Sequence, residues 1–176
     1  MTLTKTLAIL LISATPMLAQ HAHSNHGGAG LAETGQSQFA AIAEIVSVLR
    51  DDPATDWDSV DIQALRDHLV DMDNVTTRST VRAEENGADI TFEITGDGNV
   101  SLSIQKMVMA HSPMLAAKTG WQVTTSPISN GAVMMITVAD EAERSKIAAL
   151  GFYGVMTIGA HHQAHHLMIA TGMSPH

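Results

Sequence analysis

Four histidines fall within six residues, in His161-His162-Gln163-Ala164-His165-His166, at the end of a strongly apolar stretch. On an α-helix, His161/His165 and His162/His166 are i,i+4 pairs and His162/His165 is an i,i+3 pair, so these side chains share one surface. At 100° per residue, His161, His165 and His162 lie within an arc of about 100°. Neutral imidazoles aimed at one point suit a soft or borderline metal such as copper or zinc. The competing interpretation is a solvated helix end, or a pH-responsive surface that holds no metal.

Two further histidines lie on or beside apolar helical stripes. His68 follows Leu65 by three residues and precedes Met72 by four, while His111 sits among Ile104, Val108 and Leu115. A lone histidine on an apolar face is more often a hydrogen-bonded core residue than a ligand. The metal reading therefore rests on the grouping. It predicts one buried site made of His111, His161 and His165, with His68 or His162 as further ligands and a thioether from Met107 or Met114. Imidazole with thioether favours Cu(I) and tolerates Cu(II). Imidazole with a carboxylate such as Asp71 fits Zn(II) better. Met107, Met109, Met134, Met135 and Met156 also read as ordinary filler, because only 3% of the chain is aromatic and its core must be aliphatic plus methionine.

Several function classes are excluded by composition. The formal net charge of −9, with no cluster of Lys or Arg, makes nucleic acid an unsuitable partner. The chain has no Cys, so neither disulfides nor thiolate ligands are available. There is no GxSxG, HExxH or CxxCH and no phosphate-cradling glycine loop. Residues 1–19 read as a signal peptide of bacterial type, with Lys5, an apolar Leu7–Leu18 and a cleavage position at Ala19. The mature protein is thus expected in the periplasm or secreted, with no membrane span after signal removal. Residues 20–34 form a His/Gly-rich arm in which His21, His23 and His26 make a secondary, collecting metal site. Residues 35–176 form a single domain.

These ligands must be positioned by regular elements. Helices are expected at 36–50, with Phe39, Ile42, Val46 and Leu49 inward, and at 59–72, capped by Asp58 or Ser59. Strands are expected at 75–83 and 88–95 around Asn86-Gly87, and at 121–126 and 133–138 around Asn130-Gly131. A helix at 100–117 follows the first pair, kinking or ending near Pro113, and one long helix at 140–170 follows the second. The two Asn-Gly-Ala turns recur 44 residues apart, an internal repeat. The fold class is α+β: two N-terminal helices, then two ββα units, with an antiparallel sheet packed against two long helices.

The resulting expectation is an exported transition-metal-binding protein, copper first, acting in sequestration or in delivery to a periplasmic acceptor protein; homo-oligomers are compatible with it. The alternatives are a mononuclear His-ligated zinc or copper enzyme, with Tyr153 or a carboxylate nearby, and a non-covalent haem protein. Replacing His161 and His165 together by Ala should abolish high-affinity stoichiometric metal binding, whereas deleting residues 20–30 should not. Loss of all binding on deleting the arm, measured by equilibrium dialysis, would refute the buried site.

Overall fold

A computed structural model describes residues 37–159 and 162–173. The signal segment, the arm with His21, His23 and His26, and His161 fall outside the described residues. The described elements run α1 (Ser37–Asp51), a 3₁₀ turn (Trp57–Ser59), α2 (Ile62–Arg78), β1 (Thr80–Asn86), β2 (Asp89–Thr95), α3 (Asn99–Thr119), β3 (Gln122–Ile128), β4 (Gly131–Thr137), α4 (Glu141–Val155) and α5 (His162–Ala170). All belong to one compact unit. The fold is α+β, and no helix of the described residues is long and apolar enough to cross a membrane.

The strands form one antiparallel sheet of order β1-β2-β4-β3. Because side chains alternate along a strand, Ile90, Phe92 and Ile94 of β2 share a face with Ala132, Met134 and Ile136 of β4. All six are buried, and α3 and α4 cover that face. A second apolar cluster, built on Ile45, Leu49, Leu65, Leu69 and Ile169, joins α1, α2 and α5. Phe39, expected inward on α1, is 70% exposed; Ile45 and Leu49 carry the buried face instead.

The internal repeat is present with a different offset. β1 and β3 begin at Thr80 and Gln122, β2 and β4 at Asp89 and Gly131, α3 and α4 at Asn99 and Glu141, so each pair is separated by the same 42 residues. Phe92 and Met134 obey that spacing and face each other across β2 and β4, as a twofold axis through the centre of the sheet requires. The two Asn-Gly dipeptides are not equivalent. Gly87 occupies its hairpin turn at φ 62°, whereas Gly131 is the first residue of β4. A Cβ on Gly131 would lie 1.9 Å from the Ile94 carbonyl oxygen, so this glycine serves close strand approach and not turn conformation.

Two helix boundaries differ from expectation for local reasons. α2 runs on through Val75 to Arg78, where a strand was expected. The hydroxyls of Thr76, Thr77 and Ser79 donate to the carbonyls four residues earlier, at 2.9, 2.6 and 2.6 Å, so these β-prone residues are accommodated in and just after the last helical turn. The 3₁₀ turn takes up Asp58 and Ser59, and Asp61 caps α2 by accepting from Ala64 N at 2.8 Å. α3 continues past Pro113 to Thr119. Pro113 removes the N–H that Met109 O would accept, and Ser112 Oγ donates to that carbonyl at 3.3 Å.

The largest correction concerns the expected long helix at 140–170. Gly151 adopts φ 60°, ψ −176° and breaks α4 internally. The helix then ends at Val155, and Gly159 at φ 77° follows in the turn before α5. That Gly151 geometry belongs to a region open essentially to glycine alone. Gly151→Ala is expected to cost about 1–3 kcal/mol of stability, read as a lower urea midpoint. An unchanged midpoint would show that the break is not required.

Candidate metal-binding cleft

The site is assembled from both halves of the molecule. α2 and α3 are clamped by a polar ladder: Asn74 Nδ2 donates to Ser103 Oγ (3.0 Å), Ser103 Oγ to Asp71 Oδ1 (2.7 Å), and Lys106 Nζ to Asp71 Oδ2 (2.7 Å). Asp71, the carboxylate expected to serve zinc, is thus spent on this clamp and does not line the cleft. α5 is tied to the start of α2, where Asp61 N donates to Ala170 O at 2.8 Å. Farther along, the His68 and His165 rings meet at 4.8 Å between centroids. Since position increases along α2 as it decreases along α5, the two helices run antiparallel.

Between the two apolar clusters lies a cleft of about 420 Å³. α2 contributes His68 and Met72, α3 contributes Met107, His111 and Met114, the end of α4 contributes Tyr153 followed by Met156, and α5 contributes His162, His165 and Met168. Of the residues expected to form one site, the structure brings His68, His111, His162, His165, Met107 and Met114 to this single cleft. His161 lies outside the described residues. No Asp, Glu, Lys or Arg is among the lining residues.

Thioethers reach the cleft from α2, α3, the α4–α5 turn and α5. Met156, expected as filler, lines it, while Met134 is fully buried under the sheet and Met109 is largely exposed. Met107 does both, packing against the sheet-side core and facing the cleft. Met156 stands 42 residues after Met114, so the repeat places a methionine at the same station of each unit. Tyr153 stands at the wall in the station of His111, and its hydroxyl lies 3.0 Å from Ser79 Oγ.

The imidazoles form a connected group. His68 and His166 are 5.6 Å apart between ring centroids, His162 and His166 6.1 Å, and His165 and His166 6.4 Å. Two imidazoles on one tetrahedral ion, with metal–nitrogen bonds of roughly 2.0–2.1 Å, have centroids about 5 Å apart. The His68–His165 separation already fits. Among the described residues, no three His, Asp or Glu side chains converge closely enough to hold an ion as they stand. An ion held here would require a side chain to rotate or a thioether to join the imidazoles.

His166, which spacing alone left unassigned, is 4% exposed. Neither ring nitrogen has a hydrogen-bond partner among the described residues. The sequence carried a signal for this: His166 lies three residues before Ile169 and four before Ala170, both buried, so it shares the inward stripe of α5.

Comparison with known proteins returns no match to a family model, a curated protein or a solved structure.

Burial holds the His166 pKa below the usual histidine range, and the neighbouring His162 lowers it further against the opposing pull of Glu44. The unfolded chain takes up this proton near the ordinary pKa of about 6.5, the folded protein only at lower pH. Between those values the unfolded state binds more protons, so stability falls as pH falls. Above about pH 7 the group is neutral in both states and contributes no slope. Thermal melting of metal-free protein should therefore decline below about pH 6.5, and His166→Phe should flatten part of that decline. An identical slope in the variant would contradict this assignment.

Proposed function

We propose that this chain is an exported binding protein for a transition-metal ion, copper foremost, and that the cleft among α2, α3, α4 and α5 is its site. The role is sequestration, or delivery to an acceptor protein. The observation that carries this reading is the chemistry of the wall: four imidazoles and five thioethers line one cleft, and no charged side chain is among its described lining residues. Such soft, neutral donors match Cu(I). Thioether donors suit zinc less well than copper, and no carboxylate is among the described lining residues to join them. Zinc is therefore second to copper.

The same wall weighs against the other classes. A hydrolytic His-ligated metal centre calls for a general base near the open coordination position, and no Asp or Glu is among the described lining residues. Haem propionates take up cations, and among the described lining residues there is no Lys or Arg either. The cleft lies between two apolar clusters that meet through helix packing and through the Asp71–Ser103–Asn74–Lys106 ladder.

The test is a Cu(I) titration of untagged protein against a chromophoric chelator, followed by X-ray absorption of the loaded protein. Near-stoichiometric uptake with both sulfur and nitrogen scatterers is expected. Replacing Met114 by Leu together with His111 by Ala should weaken Cu(I) binding by at least about 10–100-fold, the loss that follows removal of even an outer-shell partner. Protein that takes up neither Cu(I), Cu(II) nor Zn(II) would overturn the reading.

A further inference from the structure

We infer that the junction of α2 and α5 is a second metal position, made of imidazoles alone: His68, His165 and the interior His166, with His162 at its rim. It takes a borderline divalent ion, Zn(II) or Cu(II). This rests on the reading of the cleft as a metal site and divides that cleft in two. The thioether-bearing half, with His111, Met107 and Met114 on α3 and Met156 beyond α4, is the Cu(I) position.

The first observation is His166 itself. It does not line the cleft but stands behind it, 4% exposed, with two buried nitrogens that have no hydrogen-bond partner among the described residues. A buried polar group in that condition is a standing cost to the fold. An apolar residue of similar shape would fill the position more cheaply, as Ile169 and Ala170 do on the same stripe. An electrophile that one nitrogen can ligate removes that cost.

The second observation is independent of His166's burial. His166 is the hub of the imidazole group, within 5.6 Å of His68, 6.1 Å of His162 and 6.4 Å of His165 between ring centroids. His68 and His165 already stand at the separation of two ligands on one ion. These rings come from two helices, so an ion among them cross-links α2 to α5. As the side chains stand, no three of these rings converge on one point, so loading calls for His162, the exposed member of the group, to turn inward. Three to four neutral nitrogens without sulfur are a borderline set, favouring Zn(II) and Cu(II) over Cu(I).

The experiment uses the full chain with His21, His23 and His26 replaced by Ala, so that the arm takes no ion. Calorimetric titration with Zn(II), on protein first loaded with Cu(I), should show one further equivalent. His166→Phe should lower Zn(II) affinity at least tenfold while Cu(I) stoichiometry stays at one. The same substitution should raise the melting temperature of the metal-free protein, because the buried imidazole is gone. His162→Ala, at the exposed rim, leaves packing intact and should also weaken Zn(II) binding, which keeps the test decisive if His166→Phe folds poorly. Met114→Leu should do the reverse, weakening Cu(I) and sparing Zn(II). Unchanged Zn(II) affinity in both histidine variants, or no Zn(II) binding beside intact Cu(I) binding, would overturn the second position and leave the copper reading standing. Failure of Cu(I) itself to bind would overturn the reading on which it rests.

Discussion

The arrangement of the cleft depends on the kink at Gly151 and the end of α4 at Val155. A helix continued from Glu141 to Ala170 would be about 45 Å long at 1.5 Å per residue. It would carry the histidine run far from α2 and α3. Gly151, at φ 60° and ψ −176°, adopts a conformation that a Cβ would forbid. Phe152 can then enter the sheet-side core while Tyr153 and Met156 turn to the cleft. Gly159, again at positive φ, lies just ahead of α5, which packs back on α2. Two glycines thereby convert an element that would have been a straight strut into a wall of the site.

That packing makes the molecule's two apolar clusters into one structure with a seam. The sheet-side cluster is built on non-local pairing about Phe92 and Met134. The helical cluster is built on α1, α2 and α5. The Asp71–Ser103–Asn74–Lys106 ladder fixes α2 against α3 at one place along the seam. Farther along, at the cleft, methionine lines it. Long, unbranched and polarizable, methionine fills irregular space without demanding a single packing. The same sulfur is a soft donor. One residue type thus serves packing and chemistry, and its two roles are separated only by position: Met134 is enclosed under the sheet, whereas Met114 and Met156 stand at the opening.

Histidine follows the opposite logic. His68, His111 and His166 are nearly as buried as the aliphatic residues beside them, at positions where leucine would pack without desolvating nitrogen. The cost is plainest at His166, whose charged form is disfavoured by its surroundings and whose nitrogens lack a hydrogen-bond partner among the described residues. A group that costs the fold something, placed among others of its kind, marks a locality where binding energy can be recovered when a ligand arrives.

Much of this was legible in the chain. Helical period identified α1, α2 and α3 and put His111 in the buried stripe with Ile104, Val108 and Leu115. Alternation and Asn-Gly turns identified four strands and a repeated ββα unit. Spacing grouped His162 with His165, because i,i+3 neighbours share a surface in any helix. What local pattern cannot supply is the meaning of a glycine or the partner of a face. Gly87 makes a turn and Gly131 makes room for Ile94, and only the paired strands distinguish them. Gly151 reads as a poor helix former in the sequence and becomes a kink within α4 only when packing selects its rare conformation. The sequence by itself determined the α+β class and which residue types within it are capable of ligating a metal. Tertiary structure decided which of them meet: that Asp71 is consumed by Lys106 and Ser103, that Met156 joins Met114, and that His166 turns inward toward His68. These are contacts between segments dozens of residues apart, set by how whole helices pack and invisible to any local window.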